Sequence, residues 1–120
     1  MEITVTPYEN WQVVAINGKF VMKSLNQATK VFDVFEKENK KFIAVDLIST
    51  THMDSSAINF LLTVYKRIKE KNGQIVLFGA NDDITGIIGI VGLESTFQFY
   101  KDRWQFEQTI VFFRRHFNKL

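Results

Sequence analysis

An α/β sandwich is the fold class this sequence predicts: a mostly parallel central sheet with an N-terminal β-hairpin edge and about four helices packed on it. Three observations carry that reading. Strand-like and helix-like stretches alternate with short connections, an order that favours parallel pairing through helical crossovers. One stretch, Phe42-Ile43-Ala44-Val45-Asp46-Leu47, is apolar on nearly every residue, as a strand covered on both faces must be. The stretches between strands carry apolar residues at spacings of three and four, the period of a helix with one buried face.

In chain order, Ile3-Thr4-Val5-Thr6 alternates and stops at Pro7, and a proline that cannot donate to a central ladder puts this strand at an edge. Tyr8-Glu9-Asn10 is a turn, and Trp11 to Ile16 is the second strand, ended by Asn17-Gly18. Ser24 with Gln27 three residues on is a capping box that opens a helix, whose inward stripe is Leu25, Ala28, Phe32 and Phe35. The charged run Glu36 to Lys41 closes it, and the central strand follows. Ser49-Thr50-Thr51-His52 is a polar connection to Asp54-Ser55-Ser56, where Asp54 or Ser55 caps a second helix. Ala57, Leu61, Val64 and Ile68 form its stripe, widened by Ile58, Leu62 and Tyr65. Asn72-Gly73 ends it, with glycine in the left-handed position.

Gln74 to Phe78 is a further strand. Asn81-Asp82-Asp83 caps a short stripe of Ile84, Ile87, Ile88 and Val91, which Gly92 ends. Phe97-Gln98-Phe99-Tyr100 is the last strand, and Trp104 to about Phe117 is a terminal amphipathic helix. Its inward stripe is Phe106, Ile110, Phe113 and Phe117, which leaves Phe112 and Trp104 on other faces. The expectation is core for most of them, with a homodimer or partner surface as the alternative.

Length and composition narrow the function. At 120 residues the chain is expected to form one domain, residues 1–120. With no cysteine there are no disulfides, thiolate metal sites or cysteine nucleophiles. The acidic opening Met1-Glu2 and the short apolar run Gly86 to Leu93 point away from a secretory signal or membrane insertion and toward the cytoplasm. Fifteen basic and thirteen acidic residues are interleaved, so the bases read as solvated helix faces and no nucleic acid is expected.

No catalytic set emerges, and the protein is read as a non-enzyme. His52, Asp54, Ser55 and Ser56 are nearly consecutive, whereas a hydrolytic triad is assembled from separate loops. His52 and Asp54 lack a third metal ligand, so no metal or cofactor is expected. Gly86, Gly89 and Gly92 have the wrong spacing for a dinucleotide fingerprint and no phosphate-loop lysine, which leaves close packing or a loosely held helix. Asp54-Ser55-Ser56 remains. It lies after a central strand and at a helix N-terminus, where open α/β sheets place ligands and partners. Capping accounts for two of the three residues and leaves the Ser56 hydroxyl free beside the positive end of the helix.

Val45-Asp46-Leu47-Ile48-Ser49, Met53-Asp54-Ser55-Ser56-Ala57, Leu61-Leu62, Ile87 to Leu93 and Phe97-Gln98-Phe99-Tyr100 together resemble the STAS domain. The likeness covers roughly residues 11–113, the expected core of the domain. Stand-alone domains of this kind are typically anti-anti-sigma factors, antagonists of anti-sigma factors. The resemblance therefore implies binding to an anti-sigma factor of the GHKL serine kinase type, which phosphorylates the serine matching Ser56 and so blocks its own capture; a serine phosphatase reverses the mark. It also implies a partner-binding switch loop of Asp54, Ser55, Ser56 and Ala57 together with Asp46, in which Asp54 shapes and charges the loop and Ser55 caps the helix. The alternative it implies is a STAS accessory subunit of a membrane transporter, of the ABC lipid-transport type, docked on its ATPase. Two departures bear on the partner: Ala57 replaces a usual glycine, with a methyl that would crowd a docked protein, and Val21 in Gly18-Lys19-Phe20-Val21 replaces a usual acid.

Overall fold

The computed structural model describes residues 1–93 and 95–117, except the side chain of Phe117. Its elements are β1 (Glu2–Tyr8), β2 (Trp11–Phe20), a 3-10 turn (Met22–Ser24), α1 (Leu25–Lys37), β3 (Phe42–Asp46), β4 (Thr50–Met53), α2 (Ser55–Glu70), β5 (Gln74–Phe78), α3 (Asp82–Ile90), β6 (Gln98–Tyr100) and α4 (Arg103–Phe117). Six strands form the sheet in the order β1-β2-β3-β5-β6, with β4 attached to β2 alone. Among the described residues only β1 and β2 pair antiparallel, and every other pairing is parallel. The α/β sandwich with its hairpin edge is therefore present. Pro7 pairs opposite Gln12 within β1, and an edge strand tolerates the missing donor.

The central strands divide their side chains between two cores. Val14, Ile16, Ile43, Val45, Ile75 and Leu77 pack under the helices that bring Phe32, Leu61 and Ile84, so α1, α2 and α3 cover one face. On the other face Trp11, Val13, Ala44, Val76 and Phe78 meet Phe106 of α4. This two-sided covering explains the unbroken apolar run of β3, whose Ile43, Ala44 and Val45 are all buried.

Several local details depart from expectation. β2 does not stop at Asn17-Gly18 but continues to Phe20, with a register shift at Gly18/Lys19. Gly18 takes φ +100, which lets the strand bend away from β3 and pair with β4 instead. The polar run Thr50-Thr51-His52 is thus a strand, not a connection, because its inward positions are Thr50 and Met53. Thr50 is buried only because its Oγ1 donates to the Ile16 carbonyl at 2.6 Å.

The capping box at Ser24 is absent in the expected form. Ser24 closes the 3-10 turn, and its Oγ accepts the Val21 N–H at 3.0 Å rather than an N–H of α1. At the end of α2 the left-handed residue is Asn72, φ 60, and not Gly73. Gly73 is demanded by space: a Cβ there would lie 2.2 Å from the Lys41 carbonyl oxygen. Gly86 and Gly89 would meet nothing within 4 Å, which overturns the close-packing reading of those glycines. In α4 the inward stripe is short. Phe106 is fully buried, whereas Phe113 is 53% exposed, Phe112 51% and Trp104 67%, and the Phe117 side chain lies outside the described residues.

Candidate functional site

Parallel strands direct their C-terminal ends toward one edge of the sheet, and the loops there gather the candidate residues. β2 ends in the 3-10 turn, β3 ends at Asp46, and β4 runs directly into α2. Asp54 joins two of these. Its backbone is extended, φ −102 and ψ 176, which makes it the N-cap of α2. Its Oδ1 accepts the Ala57 N–H at 2.9 Å, and its Oδ2 accepts the Met22 N–H at 2.9 Å. One carboxylate therefore caps the helix and pins the 3-10 turn against it. Its negative charge also sits at the positive end of the α2 dipole.

Ser55 is consequently the first helical residue and not the cap, a correction to the role expected for it. With the Ala57 N–H taken by the side chain of Asp54 and the Ile58 N–H by its carbonyl, the Ser55 and Ser56 N–H groups are left as the open donors of the first turn. Ser55 is exposed and Ser56 is half-buried. No protein group hydrogen-bonds the Ser56 hydroxyl, and no buried polar side-chain atom lacks a partner among the described residues. The Ser56 Oγ must therefore reach solvent. It stands at a helix start, accessible and uncommitted.

Ala57 is fully buried, with its methyl in the core beside Ile58 and Leu61. The expectation that this methyl would crowd a docked partner is thus wrong, since it points inward. Asp46 is also placed apart from the α2 terminus. Strand alternation puts it on the α4 side of the sheet, and its Oδ1 accepts the Ile48 N–H at 3.0 Å, shaping the turn out of β3. That turn leaves Ile48 exposed, and the exposed Met22 lies on the same edge. Two apolar side chains thus share this edge with the uncommitted serines.

Met22 and Gly79 are contributions that the sequence patterns did not reveal. Met22 supplies the N–H that fixes Asp54 Oδ2, and its position was hidden by the early end assigned to β2. Gly79, φ +77, lets the chain leaving β5 pass Ile48, where a Cβ would lie 2.3 Å from its Cγ1. A glycine directly after a buried apolar strand was the available signal.

The arrangement does not form a triad. Both carboxylate oxygens of Asp54 are committed to backbone N–H groups, and the exposed His52 ring pairs with Thr51 Oγ1 at 3.1 Å. Among the described residues no three His, Asp or Glu side chains converge on a point that could hold a metal ion. No helix among them is long and apolar enough to cross a membrane.

The fold is shared with solved anti-sigma factor antagonists. The chain is 20% identical over 80 residues to the anti-sigma-B factor antagonist of Listeria monocytogenes, covering 67% of this chain and 70% of the relative. A Thermotoga maritima protein named as a candidate anti-sigma factor antagonist superposes with a TM-score of 0.85 at 15% identity, covering 91% of this chain and 94% of its own. The anti-sigma factor antagonist SpoIIAA in its unphosphorylated form superposes with a TM-score of 0.73 at 12% identity, covering 94% and 98%. The profile of the STAS domain matches residues 2–105, and with that match the chain belongs to the STAS domain family.

Proposed function

We propose that this protein is a cytoplasmic anti-sigma factor antagonist, a non-enzymatic regulator of transcription switched by phosphorylation of Ser56. The observation that carries the reading is the Ser56 hydroxyl, solvent-reaching and unbonded on the first turn of α2. In this reading the unphosphorylated edge, with Met22, Ile48 and Ser55 around Ser56, captures an anti-sigma factor of the GHKL serine kinase type. The kinase transfers the γ-phosphoryl group of ATP to the Ser56 oxygen with loss of its proton and release of ADP. A serine phosphatase restores the hydroxyl. The likeness to a Listeria anti-sigma-B factor antagonist supports the choice of partner class.

The physics of the switch follows from what surrounds Ser56. A phosphate adds about −1.5 to −2 charges at neutral pH. The open N–H groups of the first turn and the helix dipole favour an anion there, so the fold tolerates it. A docked protein would have to desolvate that charge beside the Asp54 carboxylate, and binding is lost while folding is kept.

Affinity capture from native extract tests the proposal, with wild-type protein and Ser56→Glu as matched baits. Recovery of a small serine kinase by wild type alone is the expected result. Recovery of transporter ATPase subunits, or of the same partners by both baits, would contradict it.

A further inference from the structure

At the opposite edge of the sheet, α4 lifts away and leaves a groove of about 590 Å³, within the range of small-molecule sites. Its walls are Trp11, Phe42, Tyr100 and Phe113, and its polar groups include the carboxamides of Gln74 and Gln98. Gln74 Nε2 donates to Gln98 Oε1 at 3.1 Å. That single bond leaves Gln74 Oε1 as an acceptor and Gln98 Nε2 as a donor, on side chains carried by the paired strands β5 and β6, where Val76 stands opposite Gln98. An acceptor and a donor from two bonded carboxamides match the N–H and C=O of a cyclic amide. Flanking aromatic rings suit a flat ring system.

We infer that this groove binds a planar heteroaromatic lactam, of the pteridinedione type, with its amide edge on Gln74 and Gln98 and its ring among the aromatic walls. The dimensions argue against a docked helix as occupant. An α-helix with side chains is about 10 Å across, so the groove volume would hold little more than one turn of it. One end is also crossed by the ion pair of Arg114 with Glu9, which ties α4 to the β1–β2 turn and narrows the entrance. The site lies away from Ser56 and does not depend on the switch proposed for it.

Trp11 reports directly on this groove. Trp104, exposed and outside it, is the other tryptophan, so a Trp104→Phe background leaves one indole in the wall. In that background lumazine is expected to quench Trp11 fluorescence saturably. Gln98→Leu, an exposed change with no core loss, should weaken the affinity about tenfold, the effect of one hydrogen bond. Gln74→Leu should weaken it similarly. The 1,3-dimethyl analogue keeps the ring and both carbonyls and loses both N–H groups, so it should bind about tenfold more weakly than lumazine and be indifferent to Gln74→Leu, whose acceptor those N–H groups would meet. The inference is overturned if lumazine gives no saturable quenching up to millimolar concentration. Equal binding of lumazine to wild type and Gln98→Leu would overturn it too. So would self-association abolished by Phe113→Ser without any lumazine quenching, which would make the groove an interface between copies of this chain.

Discussion

Helices α2 and α4 lie on opposite faces of the same sheet and are held in different ways. α2 buries Ala57, Ile58, Leu61, Val64 and Ile68, is capped by Asp54, and closes with the Gly73 N–H on the Ile68 carbonyl at 2.9 Å. α4 is also capped, by Asp102 Oδ1 on the Gln105 N–H at 2.9 Å, but among its described side chains it fully buries only Phe106 and leaves Phe112 and Phe113 half exposed. The first helix is fixed along its length, so a group on its first turn is presented rigidly. The second buries Phe106, packs Ile110 at the edge of the core and is tied by Arg114 to Glu9, while its other apolar residues are left to line an open groove. Aromatic content alone does not make a core residue; the presence of sheet beneath it does.

The largest expected effect tests the buried anchor of α4, Phe106. Phe106 contacts the rings of Tyr8, Trp11, Phe78 and Tyr100, so Phe106→Ala should cost about 3–5 kcal/mol in urea unfolding. Phe112→Ala on the same helix should stay within about 0.5 kcal/mol. Comparable losses for the two would mean that α4 is held along its whole length, and the contrast with α2 would fail.

The cap of α2 comes next. Asp54→Ala removes acceptors for the Ala57 and Met22 N–H groups and should cost about 1–2 kcal/mol. Hydrogen exchange should quicken at Met22 as well as in the first turn of α2. Protection unchanged at Met22 would show that the carboxylate does not pin the 3-10 turn.

A gain of similar size is expected in α3. Gly86→Ala meets open space and should stabilise the protein by about 1 kcal/mol, whereas Gly73→Ala, driven into the Lys41 carbonyl, should destabilise it. Thermal unfolding of the two variants distinguishes them by sign.

The smallest effect concerns the α4 face. Burial pushes the Tyr100 phenol above its ordinary value, partly offset by the Thr109 side chain. The unfolded chain then releases this proton first, near pH 10, so it binds fewer protons than the fold and stability declines as pH rises beyond that value. Tyr100→Phe should flatten that decline, while the raised Tyr8 phenol retains part of it. An unchanged alkaline slope would show that Tyr100 is not desolvated beneath α4.

Much of this was legible in the amino-acid order because it rests on short-range rules. The apolar run of β3 required two covered faces, and Asn81 before Ile84 read as a cap and is one. What escaped depends on distant partners. Thr50 looks like a loop residue until Ile16 offers its carbonyl, and Ser24 looks like a cap until the 3-10 turn claims its hydroxyl. At the start of α2 the sequence offered Asp54 or Ser55 as the cap, and the structure assigns it to Asp54. What no local rule shows is the second bond of that carboxylate, to the Met22 N–H 32 positions away.

The most direct measurement is phosphosite mapping by mass spectrometry after incubation with the captured serine kinase and ATP. Ser55 is the more exposed of the two residues, so exposure alone would favour it. Phosphate is expected on Ser56 and none on Ser55, with release of the kinase as the mark accumulates. Phosphate on Ser55, or on neither serine while the complex persists, would contradict the Ser56 switch.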